Sequence, residues 1–331
     1  MAQDEKHHEG WQVTVPASSA NLGCAFDCAG LALQLYLRAS YFPSPAPEIS
    51  VEYQGRNPDR VPEDSSNLLL RSMQFAASQL GSPLPQGHIL IQNGIPVGAG
   101  LGSSAAAVIG GLMLGARHSG ASVSQEQLLG WALQIEGHVD NAAAAYCGGL
   151  VFAMTSGGRV MTFKTGFPES LRLVVVAPDV MVPTGEARRV LPRSYDHAEV
   201  MHTLQRAVAF AATCGSGKFD LFPEIFDDRL HQPYRRQLVP GMERCLQYRH
   251  EGLRGVVISG SGSAVLAFVE NAANDAANDN EAPIAAGLRQ IFEHEGVHSE
   301  TIMTSVDNQG AILSRTSRTA GLVTAGNGDQ R

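Results

Sequence analysis

Gly98, Gly100 and Gly102 stand at alternate positions between an apolar, strand-like run at Ile89 to Ile91 and a long small-residue segment, Ala105 to Ala116. Few folds accept such a stretch. A strand has to end, the backbone has to pass through conformations open to glycine, and a helix has to begin at once. In full it reads Ile95-Pro96-Val97-Gly98-Ala99-Gly100-Leu101-Gly102-Ser103-Ser104-Ala105-Ala106-Ala107. Ser103 or Ser104 is expected to cap the helix, because a serine hydroxyl accepts from an otherwise unpaired N–H of the first turn. A Gly-rich turn that opens a helix offers unpaired N–H groups and the positive end of the helix dipole, both of which favour phosphate. On the glycines alone, a plain turn before a buried helix is an equal reading. The paired serines and the Ala/Gly helix favour phosphate.

Two common nucleotide loops are excluded. The stretch has no lysine, which the Gly-x-x-x-x-Gly-Lys-Ser/Thr loop requires, and its glycine spacing is wrong for a dinucleotide fingerprint. Pro-x-Gly-x-Gly-Leu-Gly-Ser-Ser-Ala instead resembles the phosphate loop of the GHMP kinases, the superfamily of galactokinase, homoserine kinase, mevalonate kinase and phosphomevalonate kinase. The resemblance implies that Pro96, Val97, Gly98, Ala99, Gly100, Leu101, Gly102, Ser103, Ser104 and Ala105 hold the phosphates of ATP. It also implies an α+β fold with two parts, an N-terminal domain like the second domain of ribosomal protein S5 and a ferredoxin-like C-terminal half. The active site would lie between them.

The chain is long enough for both parts, with 331 residues, 44% of them hydrophobic and 17% charged. Its 24 basic and 32 acidic residues leave a net charge of −8, which argues against a nucleic-acid surface. ATP remains compatible with an acidic protein, since N–H groups and Mg²⁺ meet the phosphates locally. The five cysteines are odd in number and scattered, which fits a reducing cytoplasm better than a disulfide framework. Cys24-x-x-x-Cys28 lacks a second ligand pair and reads as small buried side chains rather than a metal site. Met1 to Gly10 is charged without an apolar core, so no signal peptide is expected there. Ala105 to Ala116 is too short to span a bilayer, and a soluble protein without a membrane partner is expected.

Along the chain, Trp11 to Val15 alternates as a strand that Pro16 should close, and Ala17 to Gly30 reads as a loop before a strand at Leu31 to Tyr41. Ile49 to Tyr53 is a further strand, and Asn67 to Leu80 has helical periodicity stopped by Gly81. Gly110, Gly111 and Gly115 weaken the helix after the phosphate loop, a cost that close packing against another backbone would offset. Ser124 heads a capping box with Gln127, and the helix it opens runs to Glu136. Leu171 to Ala177 is a buried strand, and helices are expected at Glu186 to Leu191 and Glu199 to Thr213. Strands at Val256 to Ser259 and Ala264 to Val269 flank a second glycine-rich turn. Asn271 to Pro283 reads as a flexible loop, Ile284 to His294 as a helix and Val297 to Val306 as the last strand. The expected division is 1–170, 171–316 and a loose tail at 317–331.

Three further blocks carry the resemblance. Glu136-Gly137-His138-Val139-Asp140-Asn141 alone reads as a solvated helix end. Beside a GHMP-type loop it is similar to the Glu-Gly-His-x-Asp-Asn of homoserine kinases, which implies that Glu136 and Ser104 bind Mg²⁺. Ser259-Gly260-Ser261-Gly262-Ser263-Ala264 resembles the superfamily's C-terminal glycine motif, with Ser263 where proline is usual and Ala264 where a small hydroxyl residue is usual. Pro16 to Gly23 with Phe26-Asp27 resembles the homoserine kinase N-terminal motif, although Cys24-Ala25 stands where Pro-Gly is more frequent.

Homoserine is a zwitterion with a primary hydroxyl, so its recognition needs a cation, an anion and neutral polar groups. By the resemblance, Arg188 and Arg235 meet the carboxylate, since a guanidinium pairs with it bidentately, and Asp27 meets the ammonium. Asn21, His138 and Asn141 surround the hydroxyl, with Thr184 beside Arg188. Asn141, Asp27 and His138 are the candidate catalytic residues. An amide takes no proton, so Asn141 is expected to orient the hydroxyl, and the proton to leave to phosphate, Asp27 or His138. The expected activity is ATP-dependent phosphorylation of L-homoserine, in a protein expected from the resemblance to be a homodimer. A GHMP kinase for another small alcohol and a catalytically silent ligand-binding member are the alternatives.

Overall fold

Two sheets, each with helices against it, account for nearly all the apolar runs. The computed structural model describes residues 8–45, 49–168, 170–216, 219–270, 280–319 and 322–324. The expectations for residues 1–7, 271–279, 320–321 and 325–331 lie outside these. In chain order the strands are β1 (His8–Ala20), β2 (Ala29–Pro43), β3 (Ile49–Gly55), β4 (Gly87–Asn93), β5 (Leu150–Ser156), β6 (Arg159–Thr165), β7 (Leu171–Pro178), β8 (Leu253–Ile258), β9 (Val265–Glu270), β10 (Ser299–Thr304), β11 (Ile312–Thr319) and β12 (Leu322–Thr324). The helices are α1 (Leu68–Gln79), α2 (Ser103–His118), α3 (Gln125–Glu136), α4 (Asp140–Cys147), α5 (Thr184–Arg189), α6 (His197–Ser216), α7 (Phe222–Ile225), α8 (Gln232–Arg235), α9 (Met242–Gln247) and α10 (Glu281–His294).

The first sheet has the order β12-β11-β1-β2-β4-β3, with β5 paired to β2 and β6 to β5. β3 and β4 are parallel, joined by the crossover through α1, and the other neighbours are antiparallel. Asn67 starts α1 by accepting from the N–H groups of Leu69 (3.0 Å) and Leu70 (3.2 Å). Between Ala105 and Ala116 every residue of α2 except Ala107 and Met113 is buried, as suits a helix enclosed on all sides. Gly111 and Gly115 lie against α1 so closely that a Cβ would collide with the carbonyl oxygens of Leu69 and Met73. The helix-weakening glycines therefore set the α1–α2 distance.

The second sheet has the order β10-β7-β9-β8 and is wholly antiparallel. Counted within this half the order is 4-1-3-2, with one helical excursion between the first two strands and another between the last two. That is the β-α-β-β-α-β ferredoxin-like arrangement. β7 is apolar on both faces because both are covered. Val174 and Val176 pack with Ile284, Leu288 and Phe292 of α10, while Leu173 and Val175 join a cluster with Phe210, Phe222, Phe226 and Phe268.

Pro16 does not end β1. The strand continues to Ala20 through a register shift between Pro16 and Ala17, and Ala17 to Ala20 pair with Leu33 to Gly30. A bulge tolerates the missing N–H, so the loop shrinks to residues 21–28. β10 is not the last strand. β11 follows it and returns to β1, where Ser317 pairs with Glu9 and Ser314 with Gln12. Residues 317–319 are thus in β11 and 322–324 in β12, not in a loose tail. The pattern of β11 is too polar to be read as a strand because only Thr316, of the residues 312–318, is fully buried.

Candidate active site

Three loops meet at the start of α2. Ser18 donates its N–H to the carbonyl of Leu101 (3.1 Å), and Ala264 donates to that of Ala99 (2.9 Å). The Ser259 hydroxyl lies 2.8 Å from the carbonyl of Gly100 and 2.9 Å from the Ser19 hydroxyl. Gly260 ties the same turn to β1 through the carbonyl of Ala20 (3.0 Å). With the carbonyls of residues 99–101 held by this brace, their trans peptide planes aim the N–H groups of Gly100, Leu101 and Gly102 away from it. Gly100 (φ +80°) and Gly102 (φ +68°) cannot be replaced without strain. A Cβ would also strike the Ser259 carbonyl at the first and the Ser18 hydroxyl at the second.

Gly102 is the cap of α2 and no side chain caps the helix, contrary to the expectation for Ser103 or Ser104. Both serines lie inside the first turn, one and two residues past the cap position. The first-turn N–H groups are left without a side-chain acceptor, which is the state that suits an anion. The turn 259–264 keeps its form despite Ser263 and Ala264, closed by the Ser259 N–H to the Ala264 carbonyl (2.9 Å).

A cavity of about 470 Å³ opens between the two halves beside this loop. Its lining includes Asn21, Asp27, Val97, Gly98, Gly100, Leu101, Gly102, Ser103, Ser104, His138, Asn141, Thr184, Arg188 and Arg235, from both halves. Pro96, Ala99 and Ala105 are buried and lie outside the lining, so they shape the loop rather than face a ligand. Glu136 is also outside the lining. Its Oε2 is buried without a hydrogen-bond partner, and burial pushes the carboxyl pKa up while the Ser104 hydroxyl beside it pulls it back. A buried carboxylate oxygen without a donor fits a bound cation. No group of three or more His, Cys, Asp or Glu among the described residues could hold a metal by itself.

The charged groups divide into a fixed cation and an ion pair. Arg235 is 3% exposed. It donates through Nη1 to the carbonyl of Gly260 (3.0 Å) and through Nε to that of Ala187 (3.3 Å), with its Cζ 5.0 Å from the Phe26 ring centre. Arg188 places both arms of its fork on Asp27, at 3.0 and 3.1 Å. Asn21 is left-handed (φ 71°) and bridges the two halves, giving Nδ2 to the Gly260 carbonyl (2.7 Å) and accepting from the Asp27 N–H (2.9 Å). Thr184 opens α5 as an exposed residue at the cavity wall.

The Glu136–Asn141 block spans the break between α3 and α4. Asp140, 2% exposed, accepts from the Asn141 N–H (2.8 Å) and lies 3.2 Å from His138 Nδ1. That hydrogen bond raises the His138 pKa above its usual value. Asn141 Oδ1 accepts from the Ser18 hydroxyl (3.0 Å).

Ser18, Asp140 and the Gly260 carbonyl are thus site groups that the sequence did not single out, although each lay within a recognised block. Tyr53, Val61, Pro62 and Leu68 form an apolar part of the same cavity. They carry no signal in sequence, since each reads as ordinary strand, turn or helix. Cys24 is buried and Cys28 exposed, and all five cysteines are free thiols.

Residues 67–149 match the GHMP kinases N terminal domain, and residues 209–285 match the GHMP kinases C terminal domain. The chain is 35% identical over 306 residues to the homoserine kinase of Solibacter usitatus, covering 92% of this chain and 97% of that one. It is 37% identical over 302 residues to the homoserine kinase of Deinococcus radiodurans, covering 91% and 96%. The crystal structure of homoserine kinase from Cytophaga hutchinsonii shares the fold, with a TM-score of 0.81 at 24% identity over 95% of this chain and 99% of that one. The braced loop, the two-sheet architecture and these relatives agree, and the chain belongs to the GHMP kinase family, among its homoserine kinases.

Proposed function

We propose that this chain transfers the γ-phosphoryl group of ATP to the side-chain hydroxyl of L-homoserine, giving ADP and O-phospho-L-homoserine for threonine biosynthesis. One observation carries the acceptor: a pinned guanidinium, a carboxylate and a second guanidinium share a cavity with the phosphate loop. A small zwitterion needs that charge pattern. Mevalonate and galactose have no ammonium for Asp27 to meet.

ATP lies with its phosphates on the N–H groups of the loop and of the first turn of α2, and with its base toward Tyr53, Val61 and Leu68. Ser104 and the partnerless oxygen of Glu136 would hold Mg²⁺, which when bound neutralises charge on the nucleotide phosphates. The homoserine carboxylate meets Arg235 and Arg188, and its ammonium meets Asp27 beside Asn21. Asn141 has Oδ1 occupied by Ser18, so its Nδ2 is the group that orients the hydroxyl. The Asp140 hydrogen bond raises the His138 pKa and favours its protonated form, which would add positive charge beside the transferring group. Phosphoryl transfer through a loose transition state needs positioning more than a strong base, and the hydroxyl proton leaves to the transferred phosphate. Free thiols throughout the described residues suit a reducing cytoplasm.

Release of ADP from Mg-ATP, followed with homoserine, serine, mevalonate, galactose and shikimate, tests the proposal. Turnover with L-homoserine above the other alcohols is expected. Turnover only with a different alcohol would keep the kinase and discard the zwitterion pocket, and no turnover in a folded, ATP-binding sample would favour a ligand-binding role.

A further inference from the structure

Arg235 is held by more than the two carbonyls described above. Four residues earlier, at the start of α8, the His231 side chain is fully buried. Its Nε2 lies 2.7 Å from the carbonyl of Gly23, an oxygen that only accepts. The same Nε2 is 3.5 Å from Asp228 Oδ2, a second acceptor. The ring proton therefore sits on Nε2, and Nδ1 is left with a lone pair. That lone pair faces Arg235 Nη1 at 3.4 Å, a group that only donates. One neutral tautomer satisfies every neighbour. An imidazolium would set N–H against N–H at the guanidinium.

The imidazole is itself fixed on all sides. Its ring stacks on Phe26, 5.0 Å between centres and 22° between planes, and the same Phe26 ring lies under the Arg235 guanidinium. Asp228 accepts from the N–H groups of Leu230 (2.9 Å), His231 (2.9 Å) and Gln232 (2.8 Å), which sets the backbone from which both side chains leave. Gly23, the far end of the contact, belongs to the loop that carries Asn21 and Asp27. His231 thus joins the cation to the loop of the anion.

We infer that His231 is a positioning residue for the acceptor's carboxylate, presenting Nδ1 as the lone-pair acceptor that orients the Arg235 guanidinium. The inference rests on Arg235 as the carboxylate cation of the proposed function. His231 lies outside the cavity lining, so its loss should appear in homoserine binding through Arg235 and spare ATP and the chemical step.

Two substitutions separate the imidazole's two contacts. His231→Asn keeps an acceptor near Nδ1 and removes the donor to Gly23, whereas His231→Gln places its amide near Nε2 and leaves the Nδ1 position empty. The expected result is a homoserine KM within about threefold of the parent for Asn and raised about tenfold for Gln, the size of one hydrogen bond to a charged group. The ATP KM and kcat should stay unchanged in both. Equal KM values in the two variants, whatever happens to Tm, would overturn the positioning role. A second measurement is independent of turnover: ¹⁵N-histidine NMR of the parent chain, with His231 assigned by its loss in a variant, should show a protonated Nε2 and a bare Nδ1 at neutral pH. A protonated Nδ1 overturns the inference even if homoserine is the acceptor. A bare Nδ1 in a chain that ignores homoserine would leave His231 as the residue that orients Arg235 and overturn only the proposed acceptor.

Discussion

Glu136 is held at a cost to the fold. Its carboxyl is pushed toward the neutral form by burial, so the folded state prefers the protonated acid and the unfolded state releases the proton more easily. A group with a raised folded pKa contributes stability below its unfolded pKa and loses it as pH rises through the folded one. At neutral pH the charged carboxylate is therefore a liability to the metal-free, nucleotide-free protein. Glu136→Gln should raise Tm at pH 7.5 by about 2 °C, the shift expected for roughly 1 kcal/mol in a chain of this size. The gain should shrink toward pH 4.5. The same substitution should lower kcat with Mg-ATP by about 10²–10³-fold, the usual effect of removing one preorganised electrostatic group. A thermal scan across pH beside a turnover assay checks both, and a lower Tm for the variant at pH 7.5 would show that the carboxylate is satisfied in the resting protein.

Among the elements, the helices record which glycines matter. Gly115 in α2 and Gly130 in α3 look alike in sequence, but a Cβ on Gly115 meets the Met73 carbonyl and, at 2.8 Å, Cβ of Ala76, whereas one on Gly130 meets nothing within 4 Å. Gly130→Ala should stabilise by up to about 1 kcal/mol through helix propensity. Gly115→Ala should destabilise by about 1–3 kcal/mol because α1 has to move. Urea midpoints read both, and equal signs would refute the close packing. These elements also show what could be read in advance. α1 and α3 follow from apolar helical periodicity, and α2 and β7 from continuous small-residue and apolar runs, because each pattern matches what the element buries. The continuation of β1 through Pro16 does not, since a bulge depends on the partner strand, nor does β11, whose side chains are mostly polar. Of the candidate site, 96–105 stands out in sequence by residue type alone, whereas 136–141 reads as a helix end until the phosphate loop is set beside it. Ser18 and His231 act through contacts to distant segments, Asp140 bonds to its neighbours His138 and Asn141 in a block that alone reads as a helix end, and the apolar part of the cavity is built from side chains that look like any core.

At the scale of the molecule, β11 crosses the whole chain length to close the edge of β1. Arg315 from β11 and Arg117 from α2 both stand over the Trp11 ring, with Cζ 5.3 and 3.7 Å from its centre. Such cation–π contacts contribute about 0.5–1 kcal/mol each at partly exposed sites. Ending the chain after residue 311 would leave seven residues of β1 without their partners on that side. A lower Tm and concentration-dependent association in size-exclusion chromatography are expected, because an unpaired strand edge recruits other chains. An unchanged Tm and a single elution position would show that β1 is secure with β2 alone. The pairing also sets an order of events in time. β1 is made some 300 residues before β11. At the usual pace of synthesis, about 5–20 residues per second, the growing chain carries an open sheet edge for roughly 15–60 s. Until β11 has been made, the first sheet is unfinished, and it is during that interval that a chaperone would have something to hold.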